Sequence, residues 1–200
     1  MTKQELVQKF KARPLSWSSI SSFEWDKEQW YKRYVMGLKE PESTEMMFGK
    51  AFATSIEDGT CEVKELMEAL PKKKEHKFNV MFGEIPMLGY ADAFCEETFK
   101  EIGEVKTGKK KWDQKRVDEH GQITLYALFN FITNKVKPED TIFTLYWIPT
   151  QDNGDFSISF VKPIKVHTFK TKRTMHDILL FSAHIRNVFA EMLSFIEEHV

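Results

Sequence analysis

Residues 89–108 read GYADAFCEETFKEIGEVKTG, and the reading of the fold turns on where this stretch places Asp92, Glu104 and Lys106. Apolar alternation predicts strands over 85–94 and 101–108. Only a turn near 96–98 fits between them, so the two are expected as antiparallel neighbours. On a strand, side chains alternate faces: Glu104 and Lys106 point one way, Gly103, Val105 and Thr107 the other, and Asp92 is expected to share a face with Tyr90 and Phe94. A register that joins those faces brings two carboxylates and an ammonium together. Leu88, Ile102 and Val105 mark strands inside a sheet, where unpaired charge is costly. Two nearby carboxylates repel unless a cation lies between them, and hard oxygen donors suit Mg2+ or Mn2+. Lys106 is then placed to hold an attacking water or to steady negative charge on a phosphoryl group. The plainer alternative is a surface Glu104–Lys106 pair with Asp92 as a turn residue.

Outward from this stretch, helical spacing of Ile20, Phe23, Trp30 and Tyr34 predicts one helix, capped by Ser16, Ser18 or Ser19 and ended by Gly37 and Pro41. A second helix is expected over about residues 44–58, with Met47, Phe48, Ala51 and Phe52 on one side, and a short third over 61–70, closed by Pro71 and the lysine run that follows. Strands are expected at 76–83, 85–94 and 101–108, then a helix over 116–134. Further strands at 141–149 and 155–163 are joined through Asn153 and Gly154, with another near 164–169. The last helix, from about Thr174 to His199, opens with Thr174 and Asp177 spaced as a capping box.

The order of these pieces resembles the PD-(D/E)XK nuclease superfamily, in particular its RecB-like exonuclease branch. There a G-x-x-D strand precedes an E-x-K strand, and a helix carrying Q-x-x-x-Y follows; Gly89 to Asp92, Glu104 to Lys106, and Gln122 with Tyr126 match in order. LSWSSISSF is similar to the branch's S-x-S-S-L helix start, through Ser16, Ser18, Ser19, Ile20 and Phe23. The resemblance covers roughly residues 15–130. It implies a restriction-endonuclease-like α/β core, a central mixed sheet of about five strands flanked by helices. It also implies metal-dependent hydrolysis of DNA, exonucleolytic, in recombination, repair or phage DNA processing. Asp92, Glu104 and the Val105 carbonyl would hold Mg2+ or Mn2+, Lys106 would position the water, and Gln122 and Tyr126 would engage substrate. Lys109, Lys110, Lys111, Lys115 and Arg116 would track the DNA backbone.

The sequence departs from the branch in two places. Its second helix often carries a metal-binding histidine, and the matching position here falls near Ala53 or Thr54; Glu57 is the carboxylate that would extend an oxygen-rich site. Relatives with an iron–sulfur cluster hold it through one early and three late cysteines, whereas this chain has two, Cys61 and Cys95, so no cluster is expected.

At 200 residues with 42% hydrophobic content, the chain is read as one globular domain, residues 1–200. A formal net charge of -1 excludes a uniformly basic nucleic-acid binder but not a local basic surface. No apolar run of about 18 residues is read from the sequence and the N-terminus is polar, so a cytoplasmic protein without a membrane span is expected. DNA is the expected partner, with other recombination or repair proteins and an oligomer as further ones. The alternative function is an inactive nuclease-fold module that binds DNA in a recombination complex. A third reading is a protein-binding domain that keeps only the fold.

Overall fold

The computed structural model describes residues 2–38 and 41–199. Helix α1 (Lys3–Lys11), formed by the polar N-terminal residues for which the sequence predicts no element, opens with a capping box between Thr2 and Glu5. The expected single helix from Ser16 is instead broken. Helix α2 (Trp17–Trp25) is capped by Ser16, and Asp26 leaves helical geometry to cap α3 (Lys27–Trp30), which runs into a π-helical turn, Tyr31–Val35. An aspartate in extended conformation satisfies the new helix's free N–H groups better than a continued helix would. Helix α4 (Thr44–Glu57) matches expectation in extent. Its inner side carries Phe48, Phe52 and Ile56, while Met47 and Ala51 face outward. A short α5 (Lys64–Ala69) follows.

Six strands form the sheet rather than about five: β1 (Lys73–Phe82), β2 (Ile85–Phe94), β3 (Glu101–Gly108), β4 (Ile142–Asp152), β5 (Ile158–Phe160) and β6 (His167–Thr171). Their order is β1-β2-β3-β4, and the far edge of β4 is shared by β6 and β5. All pairs are antiparallel except β3 with β4, so the sheet is mixed, as expected. A parallel pair requires a crossover, supplied here by α6 (Gln114–Asp118) and α7 (Gly121–Asn134). These replace the one helix expected over 116–134. Helix α8 (Met175–Glu198) has the expected Thr174–Asp177 capping box. Among the described residues it is the one helix long and apolar enough, by length and composition, to cross a membrane, but Ile178, Ile185, Val188, Met192 and Ile196 line a face buried in the core.

Both faces of the sheet are covered. Phe78, Phe94, Ile102, Phe143 and Leu145 pack with α1, α2, α7 and α8; Ala93, Tyr146 and Ile148 pack with α4 and α5 through Ile56, Leu66 and Leu70. Alternation along β4 deals its side chains to the two cores in turn. Helix α7 lies so close to β2 that a Cβ at Gly89 would stand 2.8 Å from Phe129 and 3.4 Å from Tyr126. That approach accounts for the glycine of the G-x-x-D stretch.

Because Phe129 is fully buried and cannot yield, Gly89→Ala should cost about 1–3 kcal/mol of stability, read as a lowered urea midpoint. Gly49→Ala on α4, whose Cβ would meet only Thr107 at 3.7 Å, should raise the midpoint by helix propensity.

Candidate active site

Strands β2 and β3 pair at only two positions, Ala93 with Gly103 and Phe94 with Ile102. Beyond them the strands part, and Asp92 Oδ2 accepts the Val105 N–H at 2.6 Å in place of a ladder partner. Face alternation fails at this point. Ala91 and Phe94 belong to the core under α7, Ala93 belongs to the core under α4 and α5, and Asp92 lines a cleft on the α4 side. Asp92 therefore does not share a face with Phe94, because two consecutive residues turn the same way, as at a β-bulge. In a strand a residue's N–H and C=O point to the same edge, so the Val105 carbonyl also faces the gap.

Glu104 is 4% exposed and lies on the other side of this gap. Lys106 Nζ donates to Glu104 Oε1 at 2.5 Å and to Gln122 Oε1 at 3.0 Å. Gln122 Nε2 donates to the Tyr126 hydroxyl at 2.6 Å, and that hydroxyl's single hydrogen serves Glu104 Oε2, at 2.9 Å, and the Tyr90 carbonyl. Gln122 and Tyr126, one turn apart on α7, thus reach the machinery together. Tyr126 is 1% exposed, so its ring meets Glu104 and the core rather than solvent.

Burial first, and then the charge of Glu104, push the Asp92 carboxyl up to about 8, against the opposing pull of Lys106 and the Val105 N–H. Burial would lower Lys106, but the carboxylates of Glu104 and Asp92 outweigh it, and its pKa rises. It stays an ammonium, a donor and not a base. Burial, reinforced by Glu104 and Asp92, raises Tyr126 well above its ordinary value, so the phenol remains protonated.

The cleft has a volume of about 260 Å³ and is lined by Asp92, Val105, Lys106, Phe52, Ala53 and Glu57 among others. Ala53, where the resemblance would place a histidine, faces this cleft. Glu57 borders it too, its carboxyl raised by partial burial and then by Glu75 and Asp58. Glu75 was not singled out in the sequence. The flanking pairs Lys74 with Ala93 and His76 with Ala91 put it opposite Asp92, with φ of 47°, and the neighbouring lysines disguised that part of β1 as loop.

The basic segment after β3 borders the site unevenly. Lys109 bridges Asp152 at 3.1 Å and Glu45 at 3.4 Å, tying the α4 start to the end of β4. Lys110 and Lys111 are exposed. Lys115 lies 4.0 Å from Glu119. Arg116 stacks 3.7 Å from the Trp112 ring centroid and is near enough to Lys106 to oppose its charge. Between α6 and α7, His120 is held neutral, its pKa lowered to about 4 by burial and then by Lys106, Arg116 and Arg173.

Arg173, also missed in the sequence, is 4% exposed. Its Nε donates to Thr124 Oγ1 at 2.8 Å, Nη1 to Thr171 Oγ1 and the Lys172 carbonyl at 2.8 Å, and Nη2 to the Val117 and His120 carbonyls at 3.1 and 3.4 Å. All the guanidinium donors are used within the protein, so Arg173 is a clamp on the α6–α7 break. It fixes where α7 starts, and hence where Gln122 stands. No local pattern announces such a residue.

The donor set suits a hard divalent cation: Asp92, whose Oδ1 takes no hydrogen bond among the described residues, Glu104, and the Val105 carbonyl, all oxygens. Among the described residues no three Asp, Glu, His or Cys side chains form a ready-made ligand cluster, so substrate or water oxygens would complete the shell.

Between pH 4 and 8 folded Asp92 keeps a proton that the unfolded chain, with its ordinary carboxyl, has released. This group therefore draws stability down as pH rises through that window and adds no further slope above about 8. In chelator, Asp92→Asn should lack this slope, so that its urea midpoint gains on the parent's from pH 5 to 8; an equal gap at every pH would contradict the buried environment assigned to Asp92.

No protein-family model and no curated protein matches the chain. Solved structures do. A presumptive exonuclease from Eubacterium rectale aligns at a TM-score of 0.57 with 11% identity over 100% of this chain and 88% of that one. LHK-Exo, an alkaline exonuclease from Laribacter hongkongensis, aligns at 0.50 with 10% identity. Its complex with dAMP gives 0.52 and 9%, each time over 98% of this chain and 95% of that one. At this identity the likeness is one of fold, and the fold is one that exonucleases use.

Proposed function

We propose that the protein is a divalent-metal-dependent deoxyribonuclease of the PD-(D/E)XK type, RecB-like in its motif order, acting from DNA ends. The observation that carries the reading is the convergence of Asp92, Glu104, Lys106 and the Val105 carbonyl at the parting of β2 and β3, beside an open cleft. Nothing in the packing of the sheet requires two carboxylates and an ammonium there, and their burial raises the free energy of the folded chain. The exonuclease folds that align with the chain support the same reading.

Asp92, Glu104 and the Val105 carbonyl would hold Mg2+ or Mn2+, which when bound lowers the pKa of water and offsets charge on the phosphoryl oxygens. Lys106, kept as an ammonium, orients the water and donates to the developing oxyanion. Gln122 fixes the Lys106 ammonium from one side while Tyr126 holds Glu104 from the other, so both act by positioning. Arg116 and the exposed Lys110 and Lys111 offer charge to the DNA backbone. Lys109 would exchange its carboxylate partners for phosphate. Glu57 supplies a further oxygen at the cleft wall, one helical turn beyond Ala53. The chain acts as one domain, with DNA as its partner in recombination or repair.

The test is digestion of end-labelled linear DNA with Mg2+, Mn2+ or chelator, comparing the parent with Lys106→Ala and Glu104→Ala. The expected result is cleavage that depends on the metal and falls at least about a hundredfold in both variants. Folded protein that binds the DNA in every metal without cutting it would replace this reading with that of a DNA-binding module.

A further inference from the structure

A strongly basic surface lies away from the cleft. The sequence carries no Asp or Glu between Glu5 and Glu24, nor between Glu28 and Glu40. Lys9, Lys11 and Arg13 fall in the first interval, Lys32 and Arg33 in the second, and all five are exposed. The fold joins the two intervals. Arg13 Nη1 donates to the Tyr34 carbonyl at 2.5 Å, and the Arg13 and Arg33 guanidiniums lie 5.2 and 5.4 Å from the centroid of the Tyr34 ring. Lys9, Arg13, Tyr34 and Met36 border one hollow of about 290 Å³. The nearest acid on α1, Glu5, is turned back to accept from the Thr2 N–H at 2.7 Å. Among the described residues none of these five cations makes an ion pair, although salt bridges engage Lys27, Lys50, Lys73 and Lys109 elsewhere. In a chain of formal net charge -1, two runs of exposed cations free of acids and joined through the Tyr34 ring form a surface for a polyanion.

The fold also ties this surface to the strand that carries Asp92. Leu15, two residues beyond Arg13, joins β2 beside Met87, its N–H donating to the Pro86 carbonyl at 2.8 Å and its carbonyl accepting from Leu88 at 2.9 Å. From Met87 to Asp92 the strand spans about 17 Å, which is about five base pairs of duplex. We propose that Lys9, Arg13, Lys32 and Arg33 form a second DNA-backbone contact, engaging phosphates on the order of five base pairs from the scissile bond. This rests on the nuclease reading for the identity of the strand, and it adds a minimum length of substrate. An anionic bilayer fits less well: the apolar side of α1, Leu6, Val7 and Phe10, is buried in the core, so α1 has no apolar stripe free to enter lipid, and the exposed Met36 and Leu38 beside it do not make a helical stripe.

The experiment compares the parent with the triple variant Lys9→Gln, Lys32→Gln, Arg33→Gln. Arg13 is kept because it also holds the Tyr34 carbonyl, and matching melting curves establish that the variant is folded. Binding of a fluorescent duplex of roughly 30 base pairs is measured in chelator across salt concentrations, so the result does not depend on cleavage. The variant should bind about tenfold or more weakly, with the slope of log affinity against log salt reduced by about 2–3. Given Mg2+, hydrolysis of a duplex of roughly four base pairs, kept paired by an interstrand crosslink and too short to reach the surface, should be the same for both proteins. An unchanged affinity and slope would overturn the proposal while leaving the nuclease reading to its own digestion test. Loss of binding to phosphatidylserine vesicles with DNA binding intact would overturn it in favour of a membrane surface.

Discussion

The hydrogen bond from the Val105 amide to Asp92 is the point on which the site depends. Where β2 and β3 part, the Val105 N–H loses its ladder partner, and an unpaired amide there is costly. The Asp92 carboxyl meets that need by turning against the alternation of its strand. The same turn moves Asp92 into the cleft, directs the Val105 carbonyl to the gap, and leaves Glu104 facing it from the other side. One local demand of the backbone thus assembles three oxygen donors from two strands.

The second constraint is charge. Glu104 is too deeply buried to be solvated, so it must be held by donors, and the fold provides two from different elements: the Lys106 ammonium and the Tyr126 hydroxyl. Gln122 links those donors to each other. Tyr126 also lies near the Phe78 ring in the main core, with centroids 6.2 Å apart. A side chain that is core on one side and site on the other couples the packing of α7 to the position of the ionised groups.

Much of this was legible in the sequence because it is local. Strand alternation, the Thr174–Asp177 cap and the spacings of Glu104 with Lys106 and of Gln122 with Tyr126 need only neighbours along the chain. What escaped depends on distant parts. The breaks at Asp26 and His120 interrupt apolar patterns that continue through them, so periodicity reads across each break. The turn of Asp92 arises from the divergence of a partner strand, which no period-two pattern records. Glu75 acquires meaning only from its register with β2. Arg173 sits in a basic stretch at a helix entrance, and only the carbonyls of a crossover far earlier in the chain distinguish it from a surface charge. The polar residues at the start of the chain hid α1, whose few apolar positions suffice once α8 is there to receive them.

The clamp made by Arg173 divides the electrostatics of the protein into two regimes. Its charge is spent on neutral oxygens inside the fold, beyond the reach of dissolved ions, so the placement of Gln122 against Lys106 is insulated from ionic strength. The exposed cations of the surface have no such shelter. Salt therefore acts on how a charged ligand arrives and how long it stays, and leaves untouched the arrangement it meets on arrival.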